Sequence, residues 1–329
     1  MDTDSLLAPR PYGADKEAPA RRSVVVLHGG QYADSAAHSL MCARTVADAV
    51  TNLGGEAHLV ESDGCAIPSL VDKLDSELEA ILTIADVPRD AGTLQGLLNY
   101  LDIPYAGSGV AGCSTAALPV TVRRLLQAAD VPVPPYGLVR PHASPHREAH
   151  RIMQEASSWS VCIQSLAPAR RPAGPGDTAW TGPAFAAEPD ALTDLLTLAA
   201  PHGPLMYESD IGGQTLWVAV IDDLEGQPHT LPVQEATPSL APASKEILAR
   251  ARQLALRAQA ALHLRGYSLH RFTRYQDTLL IWRGVQIHPD LSPTGRLFQI
   301  AEAHHGWTHP DFVNALLNTC VTDQSYEGL

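Results

Sequence analysis

Residues 92–112 read GTLQGLLNYLDIPYAGSGVAG, and this stretch decides the fold prediction. Its first part, GTLQGLLNYL, has apolar residues at helical spacing, and IPYAGS is typical of a short buried strand. Upstream, the apolar segments SVVVL, AHLVES and ILTIAD predict further strands, and a helix with apolar positions from Leu40 to Leu53 separates the first two. Strands that alternate with helices in this way predict a parallel, doubly wound sheet.

The second half of the chain contains further strand and helix signals. A helix over 120–129 ends before VPVPPYG, where the prolines force an extended connection. SVCIQS, LWVAVIDD, HTLPVQEA and TLLIWRGVQIHPD are strand candidates, a long helix covers 245–265, and PDFVNALLNTCV is a C-terminal helix. We predict a flexible tail over 1–22 and three domains over 23–118, 119–206 and 207–329.

The composition limits the classes of protein to which the chain can belong. The chain has 329 residues, 45% of them hydrophobic and 18% charged, which is typical of a folded globular protein with more than one domain. A net charge of -13 argues against a nucleic-acid surface, because phosphate binding needs clustered Lys and Arg. Five dispersed cysteines without a zinc spacing favour a reducing cytoplasm. No apolar run approaches the roughly 20 residues that span a bilayer.

The order of these motifs resembles the D-alanine–D-alanine ligases of the ATP-grasp superfamily. The resemblance covers nearly the whole chain beyond the tail and is most specific over 92–136. It implies an α/β (α+β) fold, with an ATP-grasp-like three-domain architecture, an N-terminal doubly wound parallel sheet and two antiparallel-sheet domains. It also implies a nucleotide between the antiparallel sheets, a carboxylate activated as an acyl phosphate and attacked by an amine, and a homodimer through the N-terminal domain.

At several positions this chain departs from the nucleotide-binding and metal-binding residues of that family. The resemblance aligns Pro119 and Gln164 with two lysines that contact the triphosphate. It aligns Arg271, Gly284 and Gln286 with the Asp, Glu and Asn that bind Mg²⁺, so a cation stands where a metal ligand is expected. From these differences we predict that the protein has no metal site and requires neither ATP nor Mg²⁺ as a cofactor.

Three residues are the predicted catalytic groups: His288, Asp34 and Arg271. Arg271 supplies a fixed positive charge that can hold a carboxylate or a phosphate, and a structural pairing with an acid is the alternative. His288 lies two residues before Asp290 in a loop expected to face the same cleft; it is either a general acid or base or an exposed loop histidine. Asp34 matches a Glu of the family that helps hold the first amino acid, or it caps the following helix.

The predicted substrate-binding residues lie at the glycine turn after the first strand and on the C-terminal strands. They are Arg271, Gln286, His38, Gly29, Gly30 and His270. Glu208 matches a Glu of the adenine-contacting hinge, and we interpret it as a vestigial nucleotide-binding residue. The predicted partner is a small-molecule substrate, with neither nucleic acid nor membrane.

The sequence leaves three functional hypotheses open. The preferred one is a repurposed, ATP- and Mg-independent enzyme of specialised metabolism that acts on an amino-acid-like or carboxylate-bearing molecule by acid/base chemistry. The second is a non-catalytic protein that binds a metabolite or a partner. The third is an ATP-dependent carboxylate–amine ligase whose phosphate-binding residues moved to Arg170, Arg171 and Arg271.

Overall fold

The computed structural model describes eight segments of the chain. They are residues 22–29, 33–62, 78–83, 91–156, 160–166, 183–236, 242–276 and 278–321. Of the residues discussed above, Gly30, Arg170, Arg171 and the side chain of Asp34 lie outside this description, as does the predicted tail up to residue 21.

The first unit is a three-stranded parallel sheet in the order β2-β1-β3. The middle strand, β1 (Ser23–His28), pairs with β2 (Glu56–Glu61) on one side and β3 (Leu78–Leu82) on the other. The helix α1 (Ala33–Asn52) follows β1. The three consecutive valines of β1 are fully buried, because a central parallel strand is covered on both faces.

The stretch over 92–112 forms two helices with a turn between them. These are α2 (Thr93–Tyr100) and α3 (Val110–Ala116). Between them, Tyr105 bridges to Ala80 of β3 in parallel and to Val321 near the C-terminus in antiparallel. The strand expected at IPYAGS is therefore reduced to one bridged residue, which extends the edge of the first sheet.

The second sheet is antiparallel and has four strands in the order β4-β7-β5-β6. It follows α4 (Pro119–Ala128), whose first residue is a proline that needs no amide partner at a helix start. The strands are β4 (Tyr136–Leu138), β5 (Ser160–Ser165), β6 (Ala184–Ala186) and β7 (Leu205–Asp210). Two helices, α5 (Pro145–Glu155) and α6 (Pro189–Ala199), share an apolar core with this sheet.

The third sheet is also antiparallel, in the order β10-β8-β11-β12, with β9 paired to β8. Its strands are β8 (Gln214–Asp222), β9 (Pro228–Thr230), β10 (Gln234–Glu235), β11 (Tyr267–Tyr275) and β12 (Leu279–Gln286). The helix α7 (Lys245–Ala261) packs on one face of this sheet. The chain ends with α8 (Arg296–His305) and α9 (His309–Leu317).

The C-terminal helices return to the first unit of the fold. Phe298 of α8 and Phe312 of α9 share a buried core with Val46 of α1 and with Val24 of β1. The same core includes Leu269 of β11, so the first and third sheets are joined through apolar packing. This contact brings the end of α1 nearest β1 close to the loop between β12 and α8.

The predicted fold class is confirmed, since one parallel sheet and two antiparallel sheets lie in the expected order. The domain boundaries stay predictions, and the one between 206 and 207 falls inside β7. Among the described residues, no helix combines the length and the hydropathy needed to cross a bilayer.

Candidate functional site

An ionic cluster connects the second and third sheets. Arg123 of α4 donates from Nε to Glu208 Oε2 of β7 at 2.9 Å, and its guanidinium lies 5.2 Å from the centroid of the Trp282 ring on β12. Arg283 of β12 donates from Nη2 to Asp210 Oδ1 of β7 at 2.7 Å. The cluster therefore lies in the cleft between the sheets, with arginines from one side and carboxylates from the other.

The members of this cluster are mostly shielded from water. The side chains of Arg123, Arg283 and Glu208 are 9%, 10% and 10% exposed. Charges this buried are kept only when they are paired, because removing a charge from water costs several kcal/mol. Cys162 of β5 is the register partner of Glu208. Burial, followed by the charges of Glu208 and Asp210, raises the pKa of its thiol to about 11, so it is protonated at neutral pH.

Arg271 is a cation of the cleft that forms no salt bridge with any described carboxylate. It is partly exposed on β11, and among the described residues it forms no ion pair. Burial, and after it the positive charge of Arg283, lowers the pKa of the Arg271 guanidinium below its usual range. Unmet positive charge of this kind favours a bound carboxylate or phosphate.

The positions that the resemblance aligned with metal ligands do come together in space. Arg271 and Gly284 are direct partners on β11 and β12, and exposed Gln286 pairs with Leu269 on the same two strands. In the segments that the structure describes, no group of three or more His, Cys, Asp or Glu side chains could hold a metal ion. The arrangement presents one guanidinium and one amide at this place.

His38 is the predicted site residue that the structure places beside a carboxylate. Its Nε2 lies 3.3 Å from Oδ2 of Asp290, in the loop between β12 and α8. The other oxygen of Asp290 accepts the Ser292 amide at 2.8 Å, which fixes the carboxylate. The side chain of His38 is 49% exposed, so part of the imidazole is in contact with solvent. The pair joins α1 to the C-terminal loop.

His288 lies in the same loop but in a different environment. Its Nε2 is 3.4 Å from Gln95 Nε2 of α2, and its Nδ1 is buried without a partner among the described residues. Burial lowers the pKa of His288 to about 4. The expectation of a near-neutral pKa does not hold, since this imidazole is neutral at pH 7 and binds a proton weakly. Its catalytic role stays a prediction.

The backbone amide of Gly29 is already used within the protein. It donates to Ser39 Oγ at 2.8 Å, and that hydroxyl donates to the carbonyl of Thr83 at 2.7 Å. The backbone amide of Gly29 is therefore not free for the predicted contact with a substrate. Gly30 and the side chain of Asp34 lie outside the described residues.

His270 points to the opposite face of β11 from Arg271. It is fully buried, and its Nδ1 accepts the indole N–H of Trp282 at 3.2 Å. Its Nε2 lies 3.2 Å from Gln259 Oε1 of α7, and burial lowers its pKa to about 3. This arrangement does not favour the predicted contact between His270 and a substrate. The ring instead connects the third sheet to α7.

Sequence reasoning missed Arg123, Arg283 and Asp210. One signal for Arg123 was present, because it lies beside Val122 and three residues before Leu126 on the apolar side of α4. A buried arginine on a helix requires an acidic partner elsewhere in the fold. The identity of that partner depends on how two sheets meet, which no local pattern contains.

The comparisons with known proteins agree on one family. No family model matches the chain. The D-alanine–D-alanine ligase of Azorhizobium caulinodans is 27% identical over 328 residues, covering 92% of this chain and 99% of the relative. That of Gloeobacter violaceus is 31% identical over 201 residues, which are 61% of each chain. The solved D-alanine–D-alanine ligase of Bacillus anthracis complexed with ATP has a TM-score of 0.75 at 16% identity, covering 94% of this chain and 100% of that chain.

These findings correct the prediction that the protein needs neither ATP nor Mg²⁺. That prediction is wrong, because the relatives are D-alanine–D-alanine ligases and a solved neighbour that matches nearly the whole chain is complexed with ATP. The error came from counting each replaced lysine and carboxylate as a lost function. Arg123, Arg271 and Arg283 meet in the cleft although they are far apart in the sequence, so no local pattern shows that they act together. Specialised metabolism and a homodimer stay predictions.

Sequence similarity and fold lead to the same conclusion. The similarity to curated ligases extends over 92% of the chain, and the sheets follow the order of the solved ligase structures. The ionic cluster lies between the two antiparallel sheets, where the resemblance places the nucleotide. The chain is similar to D-alanine–D-alanine ligases over nearly its whole length and has the ATP-grasp fold of their solved structures.

Proposed function

We propose that the protein is an ATP-dependent carboxylate–amine ligase that neutralises the phosphates of the nucleotide with arginines. The observation that carries this proposal is the charge balance of the cleft between the second and third sheets. Arg123 and Arg283 pair with Glu208 and Asp210, whereas Arg271 forms no ion pair with a described residue, so these three arginines exceed the two carboxylates by one positive charge. A phosphate or acyl phosphate group supplies the missing negative charge.

The nucleotide and the metal fit this cleft differently. Guanidinium groups match phosphate oxygens in charge and geometry, so the arginines fit the triphosphate. The described residues do not fit a carboxylate-built magnesium site, since no group of three metal-binding side chains is present among them. In the proposed reaction Mg²⁺ is supplied with ATP as the MgATP substrate. The roles proposed for Arg271 and His38 do not depend on a protein-bound metal.

Arg271 of the cleft and His38 beside the loop between β12 and α8 have separate tasks in the proposed reaction. A substrate carboxylate takes a phosphoryl group from ATP, and an amine then displaces phosphate to form an amide. Arg271 holds the reacting carboxylate and its phosphorylated form through charge-assisted hydrogen bonds. His38 accepts a proton from the attacking amine at Nδ1, because its Nε2 faces Asp290, which orients the ring.

A calorimetric titration of the full chain with MgATP tests the nucleotide site. We expect micromolar binding to the wild type and a loss of about tenfold to a hundredfold for Arg271→Ala, since a hydrogen bond to a charged group contributes about 1.5–3 kcal/mol. Arg271→Lys keeps the charge and retains part of the affinity. Arg252→Ala, on an exposed position of α7, is the matched control and leaves MgATP binding unchanged.

ADP release in the presence of amino acids tests the reaction itself. We expect release that depends on an amino acid and falls in Arg271→Ala, with the control variant equal to wild type. Absence of nucleotide binding by the wild type would reject the proposal. So would an Arg271→Ala variant that binds MgATP and releases ADP as well as the wild type does.

A further inference from the structure

A row of four residues crosses the cleft face of the third sheet. Gln234, Trp217, Arg271 and Gly284 are successive register partners on β10, β8, β11 and β12. Directly opposed residues point to the same face of a sheet, so their side chains are neighbours. The Arg271 guanidinium lies 5.9 Å from the centroid of the Trp217 ring. We name these four residues the Trp217 row.

A second guanidinium reaches the same indole from α8. The guanidinium of Arg296 lies 5.1 Å from the Trp217 ring centroid, and its Nη1 donates to Gln234 Oε1 at 2.7 Å. Within the described part of the chain, Arg296 and Arg271 have no carboxylate partner. Both guanidinium groups therefore lie within 5.9 Å of the centroid of one half-buried ring, and a ligand with two negative charges can contact both.

The surroundings of the Trp217 row leave room for a ligand and add to the positive potential. A Cβ atom added at Gly284 meets no described atom within 4 Å, so the row opens into free space next to Arg271. The first residue of α8 is Arg296, and Gly295 before it provides no side-chain cap. The uncapped amides at a helix start favour negative charge.

We propose that Arg271 and Arg296 bind the two carboxylates of an acidic amino acid, which is a substrate of this protein. The inference rests on the proposed ligase function for the reaction, but the binding itself needs no ATP. An amino acid with a neutral side chain has one carboxylate and leaves one guanidinium unpaired. An aspartate-like or glutamate-like molecule neutralises both, and its methylene groups lie against the Trp217 ring.

Calorimetry of the full chain without nucleotide tests this specificity. The ligands are the D and L forms of glutamate and aspartate, each compared with glutamine or asparagine as the uncharged counterpart. We expect at least one acid to bind about tenfold or more tightly than its amide, which corresponds to about 1.4 kcal/mol. Equal binding of acid and amide, or no binding of either, overturns the proposal.

Two variant pairs assign the specificity to the arginines. Arg296→Gln is expected to lose the preference for the acid, and Arg296→Lys to keep part of it. Gly284→Glu places a carboxylate beside Arg271 in open space and is expected to weaken acid binding about tenfold. Gly284→Gln has the same size without the charge and is the matched control. Unchanged thermal unfolding of all four variants ensures that folding is not the cause.

Further outcomes distinguish the proposed acidic substrate from a general anion site and from the proposed ligase function. Inorganic phosphate that binds as tightly as the acids, and competes with them, indicates a general anion site and overturns the substrate class. An acid preference in a protein that does not bind MgATP rejects the ligase function and leaves the binding inference standing. MgATP binding that is lost in Arg271→Ala, without any preference for acids, rejects the inference alone.

Discussion

The environment of a single residue decides what its side chain can do in this protein. His38 and His288 are the same residue type, and both reach the loop between β12 and α8. His38 is half-exposed beside Asp290, whereas burial lowers the pKa of His288 to about 4. The sequence does not distinguish the two histidines, because the burial of His288 arises from contacts with α2, which is remote in the chain. His38 is therefore the more accessible of the two histidines.

Asp222, at the end of β8, gives a pH-dependent prediction. Burial raises the pKa of its carboxyl to about 6, although its Oδ2 accepts the Gly266 amide at 2.5 Å. Since the folded-state pKa lies above the unfolded value, this carboxyl contributes most stability below about pH 4 and loses it as the pH rises through about 6. Asp222→Asn keeps an acceptor for Gly266 and removes the titration.

Urea unfolding at a series of pH values measures this effect. Between pH 4 and pH 8 we expect the free energy of unfolding of the wild type to fall by about 1–3 kcal/mol relative to that of Asp222→Asn. Parallel pH profiles for the two proteins would show that Asp222 titrates normally. A variant that is less stable at every pH would instead indicate that the hydrogen bond to Gly266 was lost.

At the scale of elements, the sequence predicted whether a segment is a helix or a strand better than it predicted the first and last residues of that segment. β5 is the predicted SVCIQS strand, and α7 begins at the predicted Lys245 but ends at Ala261. HTLPVQEA, predicted as one strand, contains the separate β9 and β10, and Pro232 lies between them without an amide to donate to a ladder. Apolar periodicity specifies an element, whereas its ends depend on tertiary contacts.

The contact between the turn after Tyr105 and the start of β11 is a close backbone approach. Gly266 has φ 71°, and a Cβ there would lie 2.6 Å from the amide nitrogen of Gly107. Ser108 Oγ donates to the carbonyl of Arg265 at 3.3 Å beside it. The glycine-rich part of the 92–112 stretch is therefore a docking surface for the third sheet, which explains its composition without a ligand.

Gly266→Ala is expected to destabilise the fold strongly, because backbone atoms of Gly107 cannot move aside. Gly226 is the matched control, since it also has a positive φ, 75°, but a Cβ there meets no described atom within 4 Å. Gly226→Ala should lower the free energy of unfolding only by the backbone strain, which is about 1–2 kcal/mol. Urea unfolding measures both, and equal losses would contradict a steric role for the Gly107 contact.

At the scale of the whole molecule, the last helices complete the first unit. Phe312, Val313, Leu316 and Leu317 of α9 are buried in the core that contains β1 and α1. Arg22 donates to Asn318 Oδ1 at 2.7 Å, so the two ends of the described chain lie together. The sequence identified the C-terminal helix and its apolar face, but it gave no indication that its partner is the first helix of the chain.

Removal of residues 308–329 is expected to prevent stable folding, because it uncovers the apolar face of α1 and the edge of the first sheet. Removal of 322–329 is the control, since it keeps α9 and the Val321 bridge to Tyr105. Circular dichroism and size-exclusion chromatography of both proteins provide the measurement. A soluble, cooperatively unfolding protein without residues 308–329 would contradict the structural role of α9.

The meeting of the two chain ends has a consequence for biosynthesis. A ribosome synthesises β1 and α1 long before α9, the helix that packs against them. Domains usually fold in the order of their synthesis, but this first unit cannot complete its core until α9 has been synthesised. During translation its apolar surface is exposed until α9 has been made, so the nascent chain should be an extended client of chaperones, and a chain terminated before α9 should aggregate.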